Sequence, residues 1–182
     1  MANGTLKVSN IETSSGSGTI TLGASGETVD LSNATTTLNS AMKNTPAFRA
    51  TMSATQSIAN TTMTTINFNT ETYDTDSCYN TSTYRFTPNV SGKYLVIASY
   101  ALNANTSTGT FICSIFKNGS EHSRANIVLS NSTSNPITTS LIDFNGSSDY
   151  IEAKGYQETG GSKTIYAGAE QSYFSACRLI GV

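Results

Sequence analysis

Beyond residue 46, apolar residues recur at every second position in short runs broken by turn formers, the period of a half-buried β-strand. Phe48, Ala50 and Met52 alternate with polar neighbours, as do Ile66 and Phe68; Ser82, Tyr84 and Phe86 alternate into Pro88. The run from Tyr94 to Ala101 is apolar on both faces and so predicts a strand covered on both, one face by the opposite sheet and the other by a neighbouring subunit. Phe111, Cys113 and Ile115 mark the next strand, with Ile112 and Phe116 on its reverse. Asn118-Gly119 follows, a strong signal for a tight hairpin, with Ile127 and Leu129 on the return strand. Ile137 to Phe144 runs into Asn145-Gly146, which predicts a second hairpin with Tyr150 to Tyr156 pairing back. Ile165-Tyr166 and Tyr173 to Ile180 close the series. The sum is about nine or ten strands with turn signals every ~8–12 residues, which predicts an all-β sandwich or jelly roll. No helix of useful length is indicated.

Residues 1–45 differ. They hold only isolated apolar pairs, Leu6 with Val8, Ile20 with Leu22, and Val29 with Leu31, separated by Ser14-Ser15-Gly16-Ser17-Gly18 and Gly23-Ala24-Ser25-Gly26. So few large side chains do not offset the ordering entropy of the segment on their own. Either it is a flexible tail or it shares an interior with other chains, as a trimeric stem does. Pro46 marks the expected boundary, giving a segment 1–45 and a domain 46–182.

Composition sharpens this. Only 12% of residues are charged and the net charge is −2, while Ser and Thr number 55 of 182. The thinly spread Lys and Arg offer no basic run to neutralise phosphates, which excludes nucleic acid as the expected partner. No stretch approaches the ~18 apolar residues of a membrane span. The opening Met-Ala-Asn-Gly-Thr lacks the charged and apolar regions of a secretory signal. Three widely spaced cysteines, Cys78, Cys113 and Cys177, form neither a disulfide framework nor a metal pattern. Cys113 and Cys177 fall within apolar strand patterns and read as buried free thiols, with a single bridge between them as the alternative.

Several features from 46 to 182 occur together in one order. Pro46-Ala47-Phe48 opens the domain; Ile66, Phe68 and Asp74 follow; Tyr84, Phe86, Pro88, Gly92, Lys93 and Tyr94 lead into the central strand; Phe116-Lys117-Asn118-Gly119 makes the hairpin; Phe174-Ser175-Ala176 lies near the end. This order resembles the complement-1q-like globular head of the tumour-necrosis-factor jelly-roll superfamily. Ala176, where that family usually has Gly, and Arg178, inside a closing strand, depart from it. The resemblance implies a ten-stranded jelly roll that assembles as a homotrimer. It sets Phe48, Tyr94, Val96, Ile97, Tyr100 and Phe174 as residues of the core or of the trimer interface.

The family's collagen-like stalk is missing. Instead, Gly4-Thr5-Leu6-Lys7-Val8-Ser9-Asn10-Ile11-Glu12-Thr13 and Gly18-Thr19-Ile20-Thr21-Leu22 resemble the openings of phage fibre and structural proteins. That resemblance implies a homotrimeric knob or short fibre on the virion surface, attached to other virion proteins through residues 1–45. Head decoration or head fibre and tail-fibre receptor binding are the two placements; a free lectin-like protein and a polysaccharide depolymerase are the rivals.

Little chemistry competes with a binding role. His122 is the single histidine and lies just past the Asn118-Gly119 turn, where no pocket suits a Ser/His/Asp triad. One histidine with three scattered cysteines does not suggest zinc. Asp74 and Asp76 lie in one polar loop, and a glycosidase needs two carboxylates set across a cleft. Asp74, Asp76 or Asp149 offer oxygen ligands for Ca²⁺, though no spacing demands it. The expectation is no enzyme and no resident cofactor. Polar loops rich in Asn, Ser and Thr suit adaptable contact with a host surface glycan: Asn103 to Thr108, Ser130 to Asn135 and Gln157 to Ser162, with Asn103, Asn105, Ser132, Asn135 and Gln157 foremost. They read equally well as soluble loop tips.

Overall fold

A computed structural model describes residues 26, 28, 42–103 and 108–181. The chain divides into units between Thr37 and Leu38, and the fold described here is that of the second. The expectations for the segment 1–45 therefore lie outside the described residues, apart from its last few.

Fourteen strands are present among the described residues, more than the ten expected, because irregular backbone cuts several into pieces of two or three residues. One sheet has five strands: β1 (Ala47–Thr51), β4 (Thr70–Asp74), β7 (Gly92–Ser99), β11 (Ile137–Phe144) and β14 (Tyr173–Arg178), in the order β11-β7-β14-β1-β4. A second holds β5 (Tyr79–Asn80), β6 (Arg85–Phe86), β9 (Thr108–Lys117), β10 (Ser120–Ser130) and β12 (Ile151–Glu158), in the order β10-β9-β12-β6-β5, with β3 (Thr64–Thr65) also on β12. A small sheet, β2-β13-β8, joins Gln56–Ile58, Lys163–Ile165 and Leu102–Asn103 at one end. The result is a two-sheet antiparallel sandwich.

The strands form where the alternation demanded them. Tyr94, Val96 and Ala98 of β7 point inward and are fully buried, as are Phe111, Cys113 and Ile115 of β9. Between the sheets, Phe48 stacks on Tyr79 at 4.6 Å and Phe86 at 4.5 Å and meets Phe174 edge-on at 5.1 Å. Such aromatic pairs add about 0.5–1.5 kcal/mol each beyond the area they bury. Three buried tyrosines keep their hydroxyls satisfied: Tyr79 donates to the Phe68 carbonyl at 2.7 Å, Tyr94 to that of Val90 at 2.7 Å, and Tyr100 to that of Lys154. Burial raises the pKa of all three phenols. Gly155 lets the strand pass close to Tyr100: a Cβ there would lie 3.2 Å from its ring and 3.1 Å from Ile66, so those side chains would have to shift by a few tenths of an ångström.

Three local expectations are corrected. Ile66 and Phe68 are core residues at 0% exposure, yet residues 66–69 form no strand. Their backbone bends instead, with the Phe68 N–H donating to the Ile66 carbonyl at 3.0 Å. The alternation from Ser82 to Phe86 is mostly a turn: Asn80 Oδ1 accepts the N–H groups of Ser82 and Thr83, and Tyr84 has φ 58°. Asn118-Gly119 is the tight hairpin expected, with φ 51° and 80° and Ser120 opposite Lys117. Asn145-Gly146 is not a second one. Asn145 Oδ1 accepts the N–H groups of Ser147, Ser148 and Asp149, so the loop carries the chain across to the other sheet. There β12 pairs with β9, not with β11.

Candidate interaction surfaces

Among the described residues, no cavity or cleft opens into the sandwich. No group of three or more His, Cys, Asp or Glu is placed to hold a metal ion. Asp74 accepts the N–H of Tyr79 at 2.7 Å, Asp76 accepts the hydroxyl of Thr75, and Asp149 pairs with Lys117 at 3.0 Å. The Asn118 amide and then Lys117 hold the Asp149 carboxyl below its ordinary pKa, a structural role at the base of the hairpin. His122 is exposed and lies 3.4 Å from the Ser140 hydroxyl. Interest therefore falls on the outer faces of the two sheets.

Cross-strand register defines the outer face of the five-stranded sheet. Leu141 lies opposite Leu95, Leu95 opposite Cys177, and Cys177 opposite Ala47, giving one apolar row across four strands. The next row runs Thr139, Ile97, Ser175, Arg49 and Tyr73. Leu141 is 60% exposed and Ile137, also on this face, 55%. Arg49 lies 4.0 Å over the Tyr173 ring and donates to the Ala169 carbonyl at 2.8 Å. Polar groups flank the apolar row: Lys93 pairs with Asp143 at 2.7 Å on one side, and Thr139, Ser175 and Arg49 stand in the row on the other.

The outer face of the six-stranded sheet is the opposite in character over half its length. Glu152, 3% exposed, is held by Arg85 at 3.4 Å and Lys154 at 3.1 Å. Arg85 covers the Tyr150 ring and Lys154 the Phe116 ring. Glu121 accepts the Ser114 hydroxyl at 2.7 Å and faces Arg124 at 3.6 Å. Long charged side chains thus lie flat on this face and bury its apolar atoms themselves.

Of the six residues expected in the core or interface, Phe48, Tyr94, Val96, Tyr100 and Phe174 are fully buried within one chain and so belong to the core, while Ile97 points outward. Among the loop candidates, Ser132 and Asn135 are exposed in the connection after β10, and the Asn135 amide oxygen accepts the Ser99 hydroxyl at 2.7 Å. Asn103 is half-buried on β8, and Asn105 lies outside the described residues. Gln157 is corrected: it is a strand residue at 0% exposure whose amide donates to the carbonyls of Gly161 and Ile58 and accepts from Thr159. A glutamine satisfied this fully inside the sandwich does not reach a ligand.

The thiols are free. Cys113 is buried on the inner side of β9 in the six-stranded sheet, while Cys177 is partly exposed on the outer side of β14 in the five-stranded sheet, so the two thiols do not face each other. Cys177 is thus corrected from a buried to an outward thiol. Burial pushes the Cys113 thiol up from 9.0 to about 11. The protonated form is the one the fold accommodates, so this contribution to stability is complete below pH 9 and is lost as pH rises towards 11. At neutral pH, iodoacetamide is expected to alkylate Cys113 only on unfolding, while Cys177 reacts in folded chains whose outer face is uncovered. Peptide mass mapping of timed samples checks this; Cys113 alkylated before unfolding would contradict the assigned burial.

The architecture is an all-β antiparallel sandwich similar in fold to murine APRIL. No family model matches the sequence, and no curated protein matches it either. The fold assignment rests on murine APRIL, whose structure at pH 5.0 overlays with a TM-score of 0.56 at 10% identity, covering 73% of this chain and 98% of that one. The pH 8.0 structure gives 0.54 with the same coverage. The globular domain of zebrafish complement 1qA protein overlays at 0.46 with 12% identity, covering 75% of this chain and 98% of its own, too loosely to add weight.

The outward residues Leu141, Ala47, Tyr73 and Tyr173 were not singled out from sequence, because only the register shows that they line up. Leu141 did carry a signal: Leu141-Ile142 places two apolar residues in succession, so one must face out.

Proposed function

We propose that this chain is a structural and binding protein of the outer surface of a tailed-phage particle. It works as a homotrimer, with residues 1–45 seating it on other virion proteins or forming a short stem and residues 46–182 forming the knob. The preferred placement is head decoration or head fibre, with adhesion to the host surface as its outward task. The observation that carries this reading is the outward-facing apolar row Leu141–Leu95–Cys177–Ala47, partly buried within one chain and exposed at Leu141. Fully burying a Leu or Ile side chain is worth about 1.5–3 kcal/mol. Copies of the same chain that close over this face recover that energy. On the other sheet, the half beside the Asn118-Gly119 hairpin is covered by its own ion pairs and leaves no comparable gain there. The lack of any cleft among the described residues supports a role exercised through surfaces. The opening Gly4 to Leu22, in the style of phage fibre proteins, supports the virion setting.

Gold-labelled antibody against residues 46–182, imaged on purified particles, tests the placement. Label over the capsid is the expected result. Label at the tail tip would make the protein a receptor-contacting fibre, and unlabelled particles would remove the virion assignment.

A further inference from the structure

The half of the six-stranded sheet's outer face away from the Asn118-Gly119 hairpin has a different chemistry from its charged half. Register aligns Asn126 with Ile112 and Tyr156, and Val128 with Thr110 and Glu158. Val128 is 82% exposed. The single charge in these two rows is Glu158, whose carboxylate accepts the Tyr156 hydroxyl and raises the pKa of that phenol. The patch continues into the adjoining end of the sandwich. The Asn60 amide oxygen accepts the N–H groups of Thr159 and Gly160 at 2.9 Å, and Leu102 bridges to Ser134, so these segments gather at that end. Residues 59–63, 130–136 and 159–162 contain no charged residue.

We propose that this patch, centred on Val128 and Tyr156, is a contact surface for a neutral polysaccharide. Sugar rings present C–H faces and hydroxyl groups. Val128 and the Tyr156 ring offer the apolar contact, while Asn126, Thr110 and Glu158 offer donors and acceptors for hydroxyls. A lone carboxylate in these rows disfavours an anionic polymer, and around the single ring of Tyr156 they present Asn126, Thr110 and Glu158, side chains suited to hydroxyl groups. A flat surface gives a weak single contact, on the order of millimolar, so a repeating polymer met by several copies is the fitting ligand. The inference takes from the proposed function only its biological setting, an outward-facing knob.

The test couples the full chain densely to beads, so that valency does not depend on self-association. The probes are dextran, mannan and galactan as neutral polymers and alginate as the anionic one. Retention of at least one neutral polymer, little altered by salt, is expected. Val128→Glu, at a site too exposed to disturb the core, should weaken that retention at least tenfold, and Asn126→Ala should weaken it as well. The proposal is overturned if none of the neutral polymers is retained, if alginate is retained equally, or if Val128→Glu binds like the parent. Solution mass and particle labelling are read separately, so failure here and failure of the virion reading remain distinguishable.

Discussion

Phe48→Ala is expected to lower the free energy of unfolding by about 3–5 kcal/mol, the usual cost of removing a buried phenylalanine. A domain of this size is stable by only about 5–15 kcal/mol, so the variant should lie near the edge of folding. Phe48 is at 0% exposure and touches rings from three other strands or their flanks: Tyr79, Phe86 and Phe174. Its neighbours are themselves pinned, Tyr79 by the hydrogen bond to Phe68 and Phe174 by its place in the middle of the sheet. They have little room to collapse into the void, and a cavity that stays open sets the upper part of the range. Urea unfolding at fixed protein concentration measures it. A midpoint equal to that of the parent would mean that the aromatic cluster does not hold the sheets together.

The second large effect concerns mass. The parent is expected to elute with light-scattering mass about three times the 19.2 kDa of one chain. Leu95→Glu combined with Leu141→Glu should return it to a single chain with an unchanged far-ultraviolet circular dichroism spectrum. The two leucines face each other on β7 and β11, on the outward side. A carboxylate at each would leave charges desolvated and unpaired in any closed interface, at a cost of several kcal/mol. Outside an interface the same changes are mild, because neither side chain enters the sandwich. A parent that is monomeric at micromolar concentration would remove self-association through this face.

Much of the fold was legible because strand alternation in a half-buried sheet is a local signal. Phe48 with Ala50, Phe111 with Cys113 and Ile115, and Tyr94 with Val96 read correctly as inward rows. What failed was either non-local or a matter of side-chain capping. The sequence Asn145-Gly146 is locally as good a hairpin as Asn118-Gly119. Only the three N–H groups gathered by Asn145 Oδ1 turn it into a crossover between sheets. Ile66 and Phe68 show the converse: two inward side chains in period two without a strand, since a bent backbone also presents alternate residues to one side. The surfaces were harder. Gln157 resembled a loop amide because Thr159, Gly160 and Gly161 follow it, whereas pairing with Phe111 draws it inside. Val128 had a readable mark, as the middle of Ile127-Val128-Leu129 must face outward if its neighbours face in.

The position of β14 has a consequence for how the chain reaches this state. It is the last strand of the sandwich in chain order, yet it lies in the middle of its sheet, between β7 and β1. Until it arrives, β1 and β7 each have an open edge and Phe48 has one wall missing. The five-stranded sheet therefore cannot close progressively from one end. Completion waits on a contact between β1 and β14 that spans nearly the whole domain, from Ala47 to Cys177. Such long-range closure places folding in the slow class, about milliseconds to seconds.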